Sequence, residues 1–116
     1  MEIPKPSEAD KAYFRSIVPA DLRVEVKPMF GNLGAFVKGN MFMGLFGSDI
    51  GVKLLPADAA ALLAMDGAGP FGPAERPMGG YVALPASWRG DAETTPWVTR
   101  ALDHVAALPP KPPKRS

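Results

Sequence analysis

Residues 34–54 decide how this chain folds: Gly34-Ala35-Phe36-Val37-Lys38-Gly39-Asn40-Met41-Phe42-Met43-Gly44-Leu45-Phe46-Gly47-Ser48-Asp49-Ile50-Gly51-Val52-Lys53-Leu54. Gly39-Asn40 separates two runs of largely apolar residues. Two-residue hairpin turns need positive φ, which Gly and Asn tolerate, so this link predicts a hairpin of strands 34–38 and 41–46. Gly47-Ser48-Asp49 is a second tight link, leading into a strand over 50–54. The centre of the chain therefore reads as an antiparallel meander.

With Gly39-Asn40 as the loop, Lys38 pairs with Met41, Val37 with Phe42 and Phe36 with Met43. Side chains alternate between the two faces of a strand. One face then carries Phe36, Met43, Leu45, Ile50, Val52 and Leu54, which predicts the core beneath the helices. The other carries Ala35, Val37, Phe42, Gly44 and Phe46, with Gly51 and Lys53 beside them. An antiparallel sheet with one wet side alternates apolar with polar, yet here the second side is also largely apolar. Two readings stand: the face is covered by the protein's own first helix or long loop, or Val37, Phe42 and Phe46 form an exposed patch that marks association. Gly44 and Gly51 would flatten such a patch, and a homodimer is its simplest use.

Outward from the meander, proline and glycine punctuate the chain. Ser7 to Val18 reads as a first helix: Ser7-x-x-Asp10 resembles a capping box. Ala9, Tyr13 and Ile17, with Phe14 and Val18 beside them, make one apolar stripe, and Pro19 ends it. Glu25 to Phe30 reads as a strand, with Pro28 marking an edge or a bulge. Pro56 to Met65 is a short helix that opens on proline and closes at Asp66-Gly67. A loop rich in Gly and Pro runs from Gly67 to Pro77, and Met78 to Leu84 is a further strand. Asp91 to Leu108 holds the last helix: Thr95-Pro96 supplies its cap and first turn, and Trp97, Val98, Ala101, Leu102, Val105 and Leu108 form one apolar face.

The composition of the 116 residues narrows the chemistry. The chain is the size of one domain, 47% hydrophobic and 22% charged, which is ordinary for a globular protein. It has no cysteine, which removes disulfides, thiolate metal sites and a cysteine nucleophile. A single histidine is too few for a histidine-based zinc site. No apolar run reaches the ~18–20 residues of a membrane span, and Met1-Glu2-Ile3-Pro4-Lys5 does not read as a signal peptide; a soluble, cytoplasmic protein is expected. All twelve Asp and Glu but only ten of the thirteen Lys and Arg precede Pro109, so the body carries −2 and the tail +3. An acidic body does not suit a nucleic-acid groove, which needs clustered positive charge.

Candidate reactive groups are few. His104 follows Asp103 and lies one turn after Arg100; it reads as a solvated helix histidine near a C-terminal dipole, with no nucleophile or second base near it in the chain. Asp49, Asp58, Asp66, Glu75, Asp91 and Glu93 are scattered over turns and helix ends, which suits capping and not a catalytic pair or a hard-metal cluster. Gly31-Asn32-Leu33-Gly34 and Gly67-Ala68-Gly69 lack both the Walker lysine and the spacing of a dinucleotide turn. Met29, Met41, Met43 and the phenylalanines suggest either an adaptable binding surface or core, with core the default. Pro109-Pro110-Lys111-Pro112-Pro113-Lys114-Arg115 favours polyproline II. Its charges Lys111, Lys114 and Arg115 are the candidate nucleic-acid contact, against a plain solubilising tail. No catalytic, metal or cofactor-binding residue is expected.

The stretches Lys27-Pro28-Met29-Phe30-Gly31, Ala35-Phe36-Val37-Lys38-Gly39-Asn40-Met41-Phe42 and Arg76-Pro77-Met78-Gly79-Gly80-Tyr81-Val82-Ala83-Leu84-Pro85, in this order, resemble the TfoX/Sxy N-terminal domain family. The Trp97 helix and the ending Leu108-Pro109-Pro110-Lys111 fit single-domain members, and the resemblance covers roughly residues 8–112. It implies an α+β fold: a helix, a three-stranded meander, a helix, two strands and a final helix. It also implies regulation, since the family's named members are competence regulators thought to act with a catabolite-responsive transcription factor. Those members carry a second, C-terminal helix-hairpin-helix domain, and this chain is expected to lack it. The resemblance carries over no catalytic residues.

The expectation is thus a two-layer α+β domain of α-β(3)-α-β(2)-α type, its antiparallel sheet carrying helices on one face. Residues 1–6 form a lead, 7–108 the domain and 109–116 a basic, proline-rich tail. Its expected role is that of a non-enzymatic regulatory or adaptor domain acting by protein contact, with Val37, Phe42 and Phe46 as the interface and itself or the transcription machinery as partner. The alternative is a nucleic-acid-associated regulator that uses the tail.

Overall fold

The computed structural model describes residues 4–29, 31–73 and 75–110. Phe30, placed by sequence at the end of a strand, and the tail cations Lys111, Lys114 and Arg115 lie outside the described residues.

Local chemistry sets most of the elements. Helix α1 spans Glu8–Ile17 and begins with the expected capping box: the Ser7 hydroxyl accepts from the Asp10 amide at 3.0 Å, and the Ser7 amide donates to the Asp10 carboxylate at 2.9 Å. Helix α2, Pro56–Leu63, opens on Pro56, whose missing N–H costs nothing there. Helix α3 spans Thr94–Ala106. Its N-cap is Glu93, two residues before the Thr95 cap expected from the sequence, so Thr95 and Pro96 lie inside the first turn; the Thr94 hydroxyl donates to the Trp88 carbonyl of a preceding 3₁₀ turn, Ala86–Trp88.

Among the described residues the strands are β1 Val24–Met29, β2 Asn32–Val37, β3 Asn40–Phe46, β4 Asp49–Lys53, β5 Gly69–Pro70 and β6 Tyr81–Ala83. They form one antiparallel sheet in the order β1-β2-β3-β4-β6-β5. Four strands precede α2, one more than the family resemblance implies. The last strand starts at Tyr81 and not Met78, since Gly79-Gly80 forms a turn with Gly80 at φ +82°.

The helices cover one face. Helix α3 lies across β3 and β4 and reaches β2, α1 leans on α3, and α2 packs on β6. The core between the layers holds Leu33, Ala35 and Val37 from β2, Phe42, Met43 and Leu45 from β3, and Ile50, Val52 and Val82 from the strands beyond. Phe14, Leu62, Trp97, Val98, Ala101, Leu102 and Val105 meet them from the helices. Arg89 pairs with Asp10 at 2.7 Å and the Gly90 amide donates to the Tyr13 hydroxyl, which ties α1 to the end of the 3₁₀ turn.

The β2–β3 hairpin differs from the sequence reading in two ways. Its turn residues are Lys38 and Gly39, at φ 54° and 80°, so Val37 pairs with Asn40 and Phe36 with Met41. The ladder then skips Phe42, and Ala35 pairs with Met43. Phe42 is the extra residue of a β-bulge, where two residues of one strand face one of the other. The bulge interrupts the alternation, so Phe42 and Met43 both join the core under the helices. Val37 and Phe42 are fully buried there, which corrects their placement on an exposed patch, while Phe36 belongs to the opposite face.

Candidate functional site

The opposite face of the sheet is built around missing side chains. Gly34 pairs with Gly44, Gly44 with Gly51, Gly51 with Ala83 and Ala83 with Gly69. One cross-strand row therefore runs over five strands without anything larger than a methyl group. A row this bare leaves a trench, and aromatic and thioether side chains from either side lie down in it. A Cβ at Gly34 would stand 2.9 Å from both Met41 Sδ and Phe36 Cε1. One at Gly44 would stand 3.3 Å from Met41 Cε and 3.5 Å from Phe71 Cε2, and one at Gly51 would collide with the Phe71 ring.

Phe71 is the centrepiece of this face. It comes from the Gly/Pro-rich loop after β5 and is only 2% exposed. Its ring meets Phe46 edge-on at 6.2 Å between centroids and Tyr81 at 6.1 Å. The Met78 amide donates to the Phe71 carbonyl at 2.8 Å, which folds the loop back on itself. Tyr81 spans the sheet, and its hydroxyl donates to the Met41 carbonyl at 2.8 Å. That carbonyl sits beside the bulge, where regular pairing lapses and a backbone acceptor needs another donor. Burial pushes the Tyr81 phenol up to about 12. Lys27 lies over the Phe36 ring at 4.6 Å and Lys53 over Tyr81 at 5.7 Å, so lysine stems edge the apolar surface.

Phe71 fills only the middle of the trench. Beside it a cleft of about 400 Å³ opens, floored by Gly44 and walled by Met29, Met41, Phe46, Phe71 and Met78. Three of the chain's six methionines meet there. Two polar side chains border it. Asn32 is buried and engaged: its amide oxygen accepts from the Gly47 N–H at 2.9 Å and its amide nitrogen donates to the Pro4 carbonyl at 3.1 Å. Arg76 is exposed at the rim. The lining offers hydrocarbon, thioether and aromatic contact with one cation at the mouth.

Of the sequence-predicted interface residues, only Phe46 stands on this face, half-buried at the cleft wall. The residues that share it, Phe36, Phe71, Arg76 and Met78, were assigned to the core, to a connecting loop or to a strand. A visible signal was Phe71 itself, a large aromatic between Pro70 and Gly72-Pro73 in a segment otherwise free of bulky apolar groups. Met29 and Met41 were weighed as an adaptable surface and line the cleft, whereas Met43 is core. His104 sits half-buried in the last turn of α3, away from the cleft lining. Asp58 pairs with Arg100 at 3.7 Å in the first turn of α2, and the Asp91 carboxylate accepts from the Glu93 amide. Among the described residues no group of three or more His, Asp and Glu side chains gathers to hold a metal, and no helix is long and apolar enough to cross a membrane.

The fold and its cleft define a small α+β domain: a meander sheet, helices on one side and an apolar, cleft-bearing face on the other. The chain belongs to the TfoX N-terminal domain family, a regulatory-domain family whose model matches residues 20–105 of the 116. Every residue lining the cleft falls within the matched span. No curated protein and no solved structure matches the chain.

Proposed function

We propose that this protein is a non-enzymatic regulatory domain that acts by protein contact, using the trench face of its sheet. The observation that carries the reading is the Gly34-Gly44-Gly51-Ala83 row with half-buried Phe36, Phe46, Met29 and Met78 around it. A sheet face turned away from its helices is normally polar; an apolar one of this kind marks a surface that another molecule covers. A second copy of the chain is the simplest partner, face to face about a twofold axis. Methionine side chains adapt their shape to a partner at little cost. The nearby cations, Lys27, Lys53 and Arg76, would sit at the polar rim that such interfaces show.

The test uses Phe36→Asp and Phe46→Asp, two half-buried positions where the charge can reach water. Sedimentation and pull-down from the native host are compared between parent and variants, with circular dichroism as the folding control. Loss of self-association or of the captured partner in folded variants supports the reading. Folded variants that associate as the parent does overturn it.

A further inference from the structure

The cleft beside Phe71 has a capacity that flat protein contact does not require. We propose that it is a binding site for a single amphipathic carboxylate, a medium- to long-chain fatty acid, with the chain laid along the Gly44 floor and the carboxylate on Arg76. This goes beyond the protein-contact reading and stands without it, since it rests on the cavity and the one cation at its mouth.

Size comes first. About 400 Å³ lies within the ~300–1,000 Å³ of small-molecule sites and is more than one anchoring side chain fills. Chemistry narrows the occupant. Nucleotides and sugars need several converging donors and acceptors, and a divalent cation needs carboxylates; Asn32 is spent on Gly47 and Pro4, and no acid lines the cleft. What remains is an apolar, flexible body. Three methionines and two phenylalanines wall the space, and thioethers follow the bends of an acyl chain. The missing side chain at Gly44 lets Met41 and Phe71 lie low against the sheet, which sets the cleft's floor.

Arg76 then fixes the polar end. It is the one charged side chain on the lining, it is exposed at the mouth, and it makes no ion pair among the described residues. A guanidinium can take a carboxylate through two parallel N–H···O bonds. Its backbone is held by a turn, the Arg76 amide donating to the Pro73 carbonyl at 3.0 Å, so the side chain starts from a fixed place.

Dodecanoate and dodecanol, each below its aggregation threshold, are titrated into the isolated chain by calorimetry. The expected result is saturable one-to-one binding with dodecanoate about fivefold to tenfold tighter than dodecanol, the preference a rim ion pair supplies. Arg76→Ala should abolish that preference while leaving dodecanol binding in place. Met78→Trp, which fills the cleft from its half-buried edge, should remove both ligands, with an unchanged melting curve showing that the fold persists. Absence of saturable binding, equal affinity of the parent for acid and alcohol, or binding that survives a folded Met78→Trp each overturns the proposal. The readout involves no partner, so it separates from the association test above.

Discussion

Replacing Gly51 by alanine should destabilise the domain even though alanine is the better strand residue. Gly51 does not adopt a left-handed φ, so backbone strain plays no part. The whole effect is space: the new methyl would occupy the place of the Phe71 ring. Phe71 is 2% exposed, and expelling it forfeits burial of about 1.5–3 kcal/mol. Keeping the ring by shifting the strand costs a similar ~1–3 kcal/mol. Against this, exchanging glycine for alanine in a strand returns about 0.5–1 kcal/mol. The net loss is then about 1–2 kcal/mol, a melting point lower by roughly 4–10 °C in a domain of this size.

Urea unfolding of Gly51→Ala, of Phe71→Ala and of the double variant closes a cycle. Phe71→Ala alone should cost about 3–5 kcal/mol. In its background Gly51→Ala should be neutral or stabilising, because nothing is left to collide with, giving a coupling of about 2 kcal/mol. An equal cost for Gly51→Ala in both backgrounds, or none in the parent, would refute the claim that the glycine exists to seat the ring.

Three further outcomes can be checked directly. Phe42→Asp should leave the chain unfolded or loosely packed by near-ultraviolet dichroism, since it removes a fully buried ring worth about 3–5 kcal/mol and puts a carboxylate in its place; a folded variant would contradict the bulge geometry. Asp10 is held below its ordinary value of 3.8 by the Ser7 amide first and the Arg89 side chain next, so its contribution is whole above that value and drains as pH falls through the lowered one. Acid unfolding curves of Asp10→Asn and the parent should therefore converge at low pH, and a constant gap would refute the assignment. Tyr81 should titrate near 12 by phenolate absorbance, its contribution intact below 10 and lost as pH rises towards 12; a midpoint near 10 would mean that the phenol is not buried.

The sequence revealed what is decided within a few residues. Ser7-x-x-Asp10, Pro56 and the apolar face of α3 act locally, and each element lies where those signals put it. The hairpin misled because Lys38, a residue that seldom adopts positive φ, takes the turn position that Asn40 seemed better suited to fill. Strict alternation then failed at Phe42, since a bulge depends on packing and leaves no reliable trace in the string of letters. Alternation from the turn puts Met43, Leu45, Ile50 and Val52, beyond the bulge, in the core where they lie, but sends Ala35, Val37 and Phe42 to the wrong face and Phe36 into the core in their place. The cleft was only half visible. Gly44 and Gly51 were noticed as small, but only cross-strand register shows that they stand side by side, and only the long-range return of the loop brings Phe71 onto them.

Phe42 has a consequence for how this chain can change in length. It is one residue in excess of the ladder: with it excised, Met41 and Met43 would become neighbours, and the pairs Phe36 with Met41 and Ala35 with Met43 would follow one another without a gap. Elsewhere in a strand, losing one residue turns every later side chain inside out. At this position the chain could shorten by one and keep its reading frame, surrendering a single ring from the interior.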